Sequence, residues 1–178
     1  MKYKILLLTL IAPFFCSAQE NATILPIDPD TKMATYQEVV QEKGTADELY
    51  IKGIEWINSF YKNPADVTRV RNRESGVIEL LHRFEIYNMD GDVKVQAGFV
   101  NYSLKIEFKP GRYRYTIDDI NFRQATKFPV EKWLNKDDPF YSPQWDSYIQ
   151  QIDVAIKEVI ASLKKGMAPV ELKPEEKW

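Results

Sequence analysis

The chain has 178 residues, with 24 lysines and arginines against 26 acids, one histidine and one cysteine. A formal net charge of −2 offers no global field for nucleic acid or an anionic membrane. A single histidine and a single cysteine exclude zinc centres built from imidazole and thiolate, and exclude any disulfide within the chain.

The first residues, MKYKILLLTLIAPFFCSA, carry Lys2 and Lys4, then an apolar run from Ile5 to Phe15, then small residues. This is the layout of a secretory signal, residues 1–18, cleaved after Ala18. Cys16 raises the competing reading of a lipoprotein, but Phe15 stands where a lipobox takes a small residue. We therefore expect ordinary cleavage and export to the periplasm or beyond. No later apolar stretch approaches the roughly 20 residues a membrane span needs, so no insertion is expected after cleavage. About 160 residues then remain, a length that suits one domain with a sizeable core, and the charge moves to about −4. With no cysteine left, thiol catalysis is excluded.

Residues 19–31, polar and proline-bearing, read as an N-terminal arm and turn. A short strand follows at about Met33 to Gln41. Thr45-Ala46-Asp47-Glu48 has the form of a capping box. Behind it Leu49, Gly53, Trp56 and Phe60 recur at helical spacing beside a stripe of Tyr50, Ile54, Ile57 and Tyr61. Gly53 costs about 1 kcal/mol against alanine inside a helix, which points to close approach of this face to a sheet.

Four strands are expected next, over 66–73, 76–87, 93–108 and from Arg112 onward. In the third, Val100, Tyr102, Leu104, Ile106 and Phe108 share one face and Asn101, Ser103, Lys105 and Glu107 the other, as a sheet with one wet face requires. Asp90-Gly91 marks a tight hairpin turn. A last helix opens at SPQW with Ser142 as cap and Pro143 in the first turn, places Tyr148, Ile152, Ala155, Val159 and Leu163 on one side, and stops at Gly166. The domain is thus 32–166, followed by a tail at 167–178.

Residues LPIDPDTKMATYQEVVQEKG, TADELYIKGIEWINSF and the later YRYTIDDI together resemble an uncharacterised exported bacterial family, known as a domain of unknown function with a fold like the TATA-binding protein (TBP). The likeness covers about residues 24 to 122. Thr31-Lys32 departs from it, since a glycine is expected in that turn. The resemblance implies a TBP-like α+β fold, an antiparallel β-sheet of about five strands packed against two α-helices in β-α-β4-α order. It implies no catalytic residue and no cofactor.

His82 falls by parity with Leu80 and Phe84 on the apolar side of its strand, where a histidine is most often a hydrogen-bonded structural residue. The adjacent acids Asp118 and Asp119 point to opposite faces of a regular strand and so make no carboxylate pair. The run GRYRYTI alternates arginine with tyrosine, which fits tyrosines toward the helices and Arg112 and Arg114 paired with acids on the wet face. No catalytic cluster emerges, so the leading expectation is a non-enzymatic binding domain for an unknown protein or small-molecule partner, without nucleic acid, metal or cofactor. The contact residues expected are Lys105, Glu107, Arg112 and Arg114 on the open sheet face, or Trp133, Tyr141 and Trp145, beside Phe140, in the aromatic segment. The alternative is a carrier of an apolar small molecule held between sheet and last helix in a helix-grip pocket. A hydrolase using His82 or Asp118 ranks below both.

Overall fold

In a computed structural model that describes residues 25–91, 93–123 and 126–169, the capping box forms as the sequence reads. Glu48 N donates to Thr45 Oγ at 3.2 Å and Thr45 N to Glu48 Oε2 at 2.7 Å, starting α1 (Ala46–Phe60) just after β1 (Tyr36–Gln41). A one-turn α2 (Pro64–Val67) leads into β2 (Thr68–Asn72), β3 (Val77–Asp90), β4 (Val93–Lys109) and β5 (Arg112–Arg123). A short β6 (Lys127–Pro129) and a 3-10 turn (Val130–Leu134) precede α3 (Gln144–Met167). The sheet runs β1-β5-β4-β3-β2, with β6 added on β5, and every pairing is antiparallel. The fold is α+β as expected, and α2 and β6 are additions, each too short to carry a periodicity.

One face of the sheet meets α1 and α3. Every second residue of β4 from Val100 to Phe108 is buried, as are Tyr113, Tyr115 and Ile117 on β5. Against them α1 places Leu49, Tyr50, Trp56 and Ile57, and α3 places Ile149, Ile152, Ile156 and Leu163. The helices approach where side chains vanish. A Cβ on Gly53 would stand 2.5 Å from Phe108 Cζ, and one on Gly166 2.7 Å from Trp56 Cδ1. β1 is tied to α3 through Tyr36 Oη, which donates to the buried Asp153 at 2.9 Å, while Lys157 Nζ donates to its other oxygen at 2.6 Å.

Gly166 does not stop the last helix, because α3 continues through the fully buried Met167. Its lack of a side chain serves the packing of Trp56, not a left-handed terminus. Ser142 is not the cap residue either. Pro143 holds that position without a side-chain bond, and Ser142 Oγ accepts only from Gln144 N at 3.3 Å. The signal segment 1–18, its cleavage point, the first part of the arm and most of the tail lie outside the described residues. The described part of the arm is packed: Leu25 is buried, and Ile27 bridges Ala34. Between them Asp28 Oδ1 accepts from Thr31 N at 2.7 Å, and Lys32 takes φ +60 in the place where the resemblance calls for glycine.

Gly53→Ala is expected to destabilise the protein by up to about 2 kcal/mol, because overpacking of about 1–3 kcal/mol outweighs the roughly 1 kcal/mol of helix propensity gained. A rise in the denaturation midpoint would show that Phe108 yields freely. Lys32→Gly should stabilise by about 0.5–1 kcal/mol through relief of the left-handed backbone, read in the same assay; an unchanged or lower midpoint would mean that the lysine holds this turn without strain.

Candidate functional site

The register of β4 on β5 slips at one point. Ser103 pairs with Asp118 but Asn101 pairs with Asn121, so Asp119 and Ile120 together oppose Tyr102. Asp119 carries the extra residue with φ +47, the geometry of a β-bulge. Strict alternation from Ile117 would have sent Asp119 toward the helices and Ile120 to water. The bulge reverses this. Ile117, Ile120 and Phe122 are all buried, while Asp118 and Asp119 line the same cleft on the outer face. The expectation that these acids point to opposite faces is therefore corrected, since it assumed a regular strand.

A polar ladder holds the bulge. Asn121, only 2% exposed, donates through Nδ2 to the Asp119 carbonyl at 2.6 Å and accepts from Asn101 Nδ2 at 3.2 Å. Lys127 Nζ donates to Asp119 Oδ2 at 2.8 Å. Asp118 is different. Half-buried, it has no hydrogen-bond or ion-pair partner among the described residues. Burial pushes its carboxyl above the usual range, Asp119 and Glu79 add to the effect, and Lys105 pulls it back. Lys105 itself lies 3.7 Å from Glu107. The cleft has a volume of about 590 Å³ and is also walled by Arg69, Glu79, Ser103 and Lys127.

A second cleft of about 630 Å³ shares Arg69, Leu81, Asn101 and Arg123 with the first. It curls round the edge of β3 beyond Leu80, where the pairing with β2 ends. Its own walls include Phe60, Tyr61, Lys62, His82 and Arg83. His82 is held by rings, with no side-chain hydrogen bond among the described residues: Tyr61 stands edge-on at 4.9 Å and Tyr102 at 6.0 Å between centroids. Burial, then Arg83, lowers its pKa. His82 pairs with Tyr102 on the helix side while Asp118 pairs with Ser103 on the other, so the two are not brought together.

The remaining expected contact residues divide between the two ends of the sheet. Arg114 grips Glu107 through Nε at 2.8 Å and Nη2 at 2.5 Å, which spends both charges on each other across β4 and β5. Arg112 is exposed opposite Gln41 and Lys109. Trp133 is only 3% exposed, at the centre of a ring cluster with Phe122 at 5.4 Å, Tyr148 at 5.2 Å and Trp145 at 6.4 Å. Tyr141 stands edge-on to Trp145 at 5.8 Å, and Phe140 is 84% exposed. An open cleft of about 380 Å³ lies beside this cluster, with Asn88 and Gln96 on its rim. Sequence reading missed the cations Lys62, Arg69, Arg83 and Arg123, which no motif links.

An open antiparallel sheet with its helices on one face and an opposite face that is grooved and left uncovered by the described residues defines a TBP-like α+β protein. Residues 36–123 match the model of the family described as a domain of unknown function (DUF4468) with TBP-like fold, and form a domain of that family. The chain is similar to a DUF4468 family protein from Bacteroides ovatus, with a TM-score of 0.65 at 15% identity over 87% of this chain and 95% of that one. It is also similar to a TBP-like protein from Parabacteroides distasonis, with a TM-score of 0.64 at 13% identity over 80% of this chain and 96% of that one. At such identities the likeness concerns the fold alone. Among curated proteins no relative matches.

Asp118→Asn is expected to raise the thermal midpoint at neutral pH, because it removes a carboxylate that folding desolvates without a partner. A folded-state pKa above the unfolded one means that stability is lost as pH rises through that window. The gap between variant and parent should therefore close as pH falls through the Asp118 pKa. Equal midpoints at all pH values would mean that Asp118 is fully solvated.

Proposed function

We propose that this chain is an exported, non-enzymatic binding domain whose partner docks on the outer face of the sheet, with a cationic group seated against Asp118. The observation that carries the reading is the bulge at Asp119, which lays a half-buried carboxylate, that of Asp118, in an open cleft with no ion-pair or hydrogen-bond partner among the described residues. Left unpaired, such a group works against stability, and an ammonium or guanidinium from a partner supplies the missing charge-assisted bonds. A lysine or arginine side chain of a protein partner has this chemistry.

Packing favours the outer face over the gap between sheet and helices. That gap is occupied by Phe108 against Gly53 and Trp56 against Gly166, which leaves a helix-grip carrier without room along α1. Nucleic acid is disfavoured as the occupant, because Glu79, Glu107, Asp118 and Asp119 lie on this face beside its cations. Fold-level likeness to a DNA-binding protein carries no weight of its own. No helix among the described residues is long and apolar enough to cross a membrane.

Titrating the protein with a Gly-Arg-Gly peptide should shift the backbone amide signals of Ser103, Asp118, Asp119 and Asn121 saturably. Gly-Glu-Gly should leave these signals in place. Asp118→Asn should weaken the arginine peptide by about tenfold, the loss of one charge-assisted contact. Equal titrations for parent and variant, or shifts confined to the aromatic cleft, would overturn the proposal.

A further inference from the structure

The first cleft mixes its charges, Arg69, Lys105, Arg123 and Lys127 against Glu79, Asp118 and Asp119, whereas the second is dominated by cations. Lys62, Arg69, Arg83 and Arg123 line it together with His82, against the single acid Asp66. None of these four cations forms an ion pair with an acid among the described residues. Arg69 Nη1 donates to the backbone carbonyl of Asp66 at 2.6 Å, and the Arg83 guanidinium lies 4.6 Å from the centroid of the Phe99 ring. Other cations, such as Arg71 and Arg112, also lack an ion pair among the described residues, so what distinguishes these four is their convergence on one cleft. Arg73, Arg114, Lys127, Lys136, Lys157 and Lys164 each have a carboxylate within 4.0 Å, in a chain with more acids than bases.

Four like charges converging on one concavity repel one another unless an anion enters. The cations come from separate elements: Lys62 from the loop after α1, Arg69 from β2, Arg83 from β3 and Arg123 from β5. They therefore surround the cleft, whereas a solvated charge run would lie along one strand or helix. The wall also carries Phe60, 39% exposed, and Leu81, 39% exposed, which offer apolar contact next to the charges. Asn101, shared by both clefts, offers an amide between the two ends.

We infer that this cleft binds a multiply charged oxyanion, a phosphate or sulfate ester, whose organic group lies on Phe60 and Leu81. Arginine and lysine donate to its oxygens, and the planar guanidinium suits paired oxygens. This deepens the proposal above: one partner would present a cation to Asp118 and an anion to the basic end. It stands on different residues, because Lys62 and Arg83 line the basic cleft and not the cleft of Asp118.

The test uses the only histidine of the chain, whose imidazole gives a single resolved proton NMR signal. Burial, then Arg83, holds His82 toward its neutral form, Lys62, Arg69, Arg123 and Asp66 share its cleft, and the rings of Tyr61 and Tyr102 beside it are uncharged. A dianion in the cleft favours the imidazolium. Phenyl phosphate should therefore shift the His82 signal saturably and raise its pKa, and inorganic phosphate should do the same more weakly. Arg83→Gln and Lys62→Gln, both at exposed positions, should each weaken binding by about tenfold with unchanged amide spectra. Asp118→Asn should leave this titration intact, which separates failure here from failure of the cation site. If only vesicles containing phosphatidylglycerol moved the signal, the same oxyanion chemistry would belong to a lipid headgroup. A shift that grows linearly with concentration and equally in Arg83→Gln, or no shift with any of the three, would overturn the inference.

Discussion

Between Ile117 and Phe122 the chain must bury three large apolar side chains on the helix side of the sheet, and strict alternation cannot place Ile117, Ile120 and Phe122 on one face. One residue has to be absorbed. β5 absorbs Asp119 by turning it to φ +47, a conformation that aspartate tolerates better than most residues. The bulge serves both sides of the sheet. Inward, it keeps Phe122 in contact with Trp133 and Tyr148, which closes the end of the core. Outward, it places two successive carboxylates in one cleft and leaves Asn121 buried, where its amide bridges Asp119 and Asn101. The candidate site is in this sense a by-product of core packing, retained with a carboxylate that packing alone has no use for.

A second irregularity at the far end of the hairpin follows the same logic. β3 and β4 slip between Ile86 and Tyr87, so that Ile86 faces Gly98 while Tyr87 faces Gln96. Gln151 of α3 repairs the interruption: its amide accepts from Tyr87 N at 2.8 Å and donates to Tyr87 O at 2.9 Å. Backbone groups released by a bulge must find partners if they are half-buried. Here a helix side chain supplies both, and so ties α3 to the sheet. At Gly98 the absent side chain lets the Phe122 ring approach, since a Cβ there would stand 2.6 Å from it. The two bulges therefore meet at Phe122.

Periodicity was enough to read the layers of this fold. The alternation of β4 survives from Val100 to Phe108, and the capping box and apolar stripe of α1 end up where their spacing places them, except for Phe60, which is 39% exposed. What escaped sequence reading has physical reasons. A three-residue strand containing Pro129 has too few positions to alternate, and a one-turn helix opened by Pro64 hides inside a stretch of polar strand. Gly166 has the look of a helix stop because sequence cannot show that Trp56 lies against it. The bulge did leave a trace. Apolar residues spaced by two at Tyr113, Tyr115 and Ile117 jump to a spacing of three at Ile120, then return to two at Phe122. That phase slip is a legible signal of an inserted residue.

The electrostatics of the groove were not legible, for a different reason. A net charge of −2 averages over the molecule, and each of the four cations of the basic cleft belongs to a separate element, so no charge run marks them. Only the fold brings them together. Of the two wet-face arginines expected to pair with acids, Arg114 does so with Glu107, in an exposed pair worth roughly 0–1 kcal/mol, while Arg112, opposite Gln41 and Lys109, forms no ion pair among the described residues. In the two clefts, side chains with no ion pair among the described residues include Asp118 at one end and Lys62 and Arg83 at the other. An outer sheet face built only for solubility would intersperse its charges, as the strand ends around Glu107 do. Gathering four cations against one acid in the second cleft, beside a half-buried Asp118 in the first, works against stability, and a ligand of matching polarity is what makes that arrangement favourable.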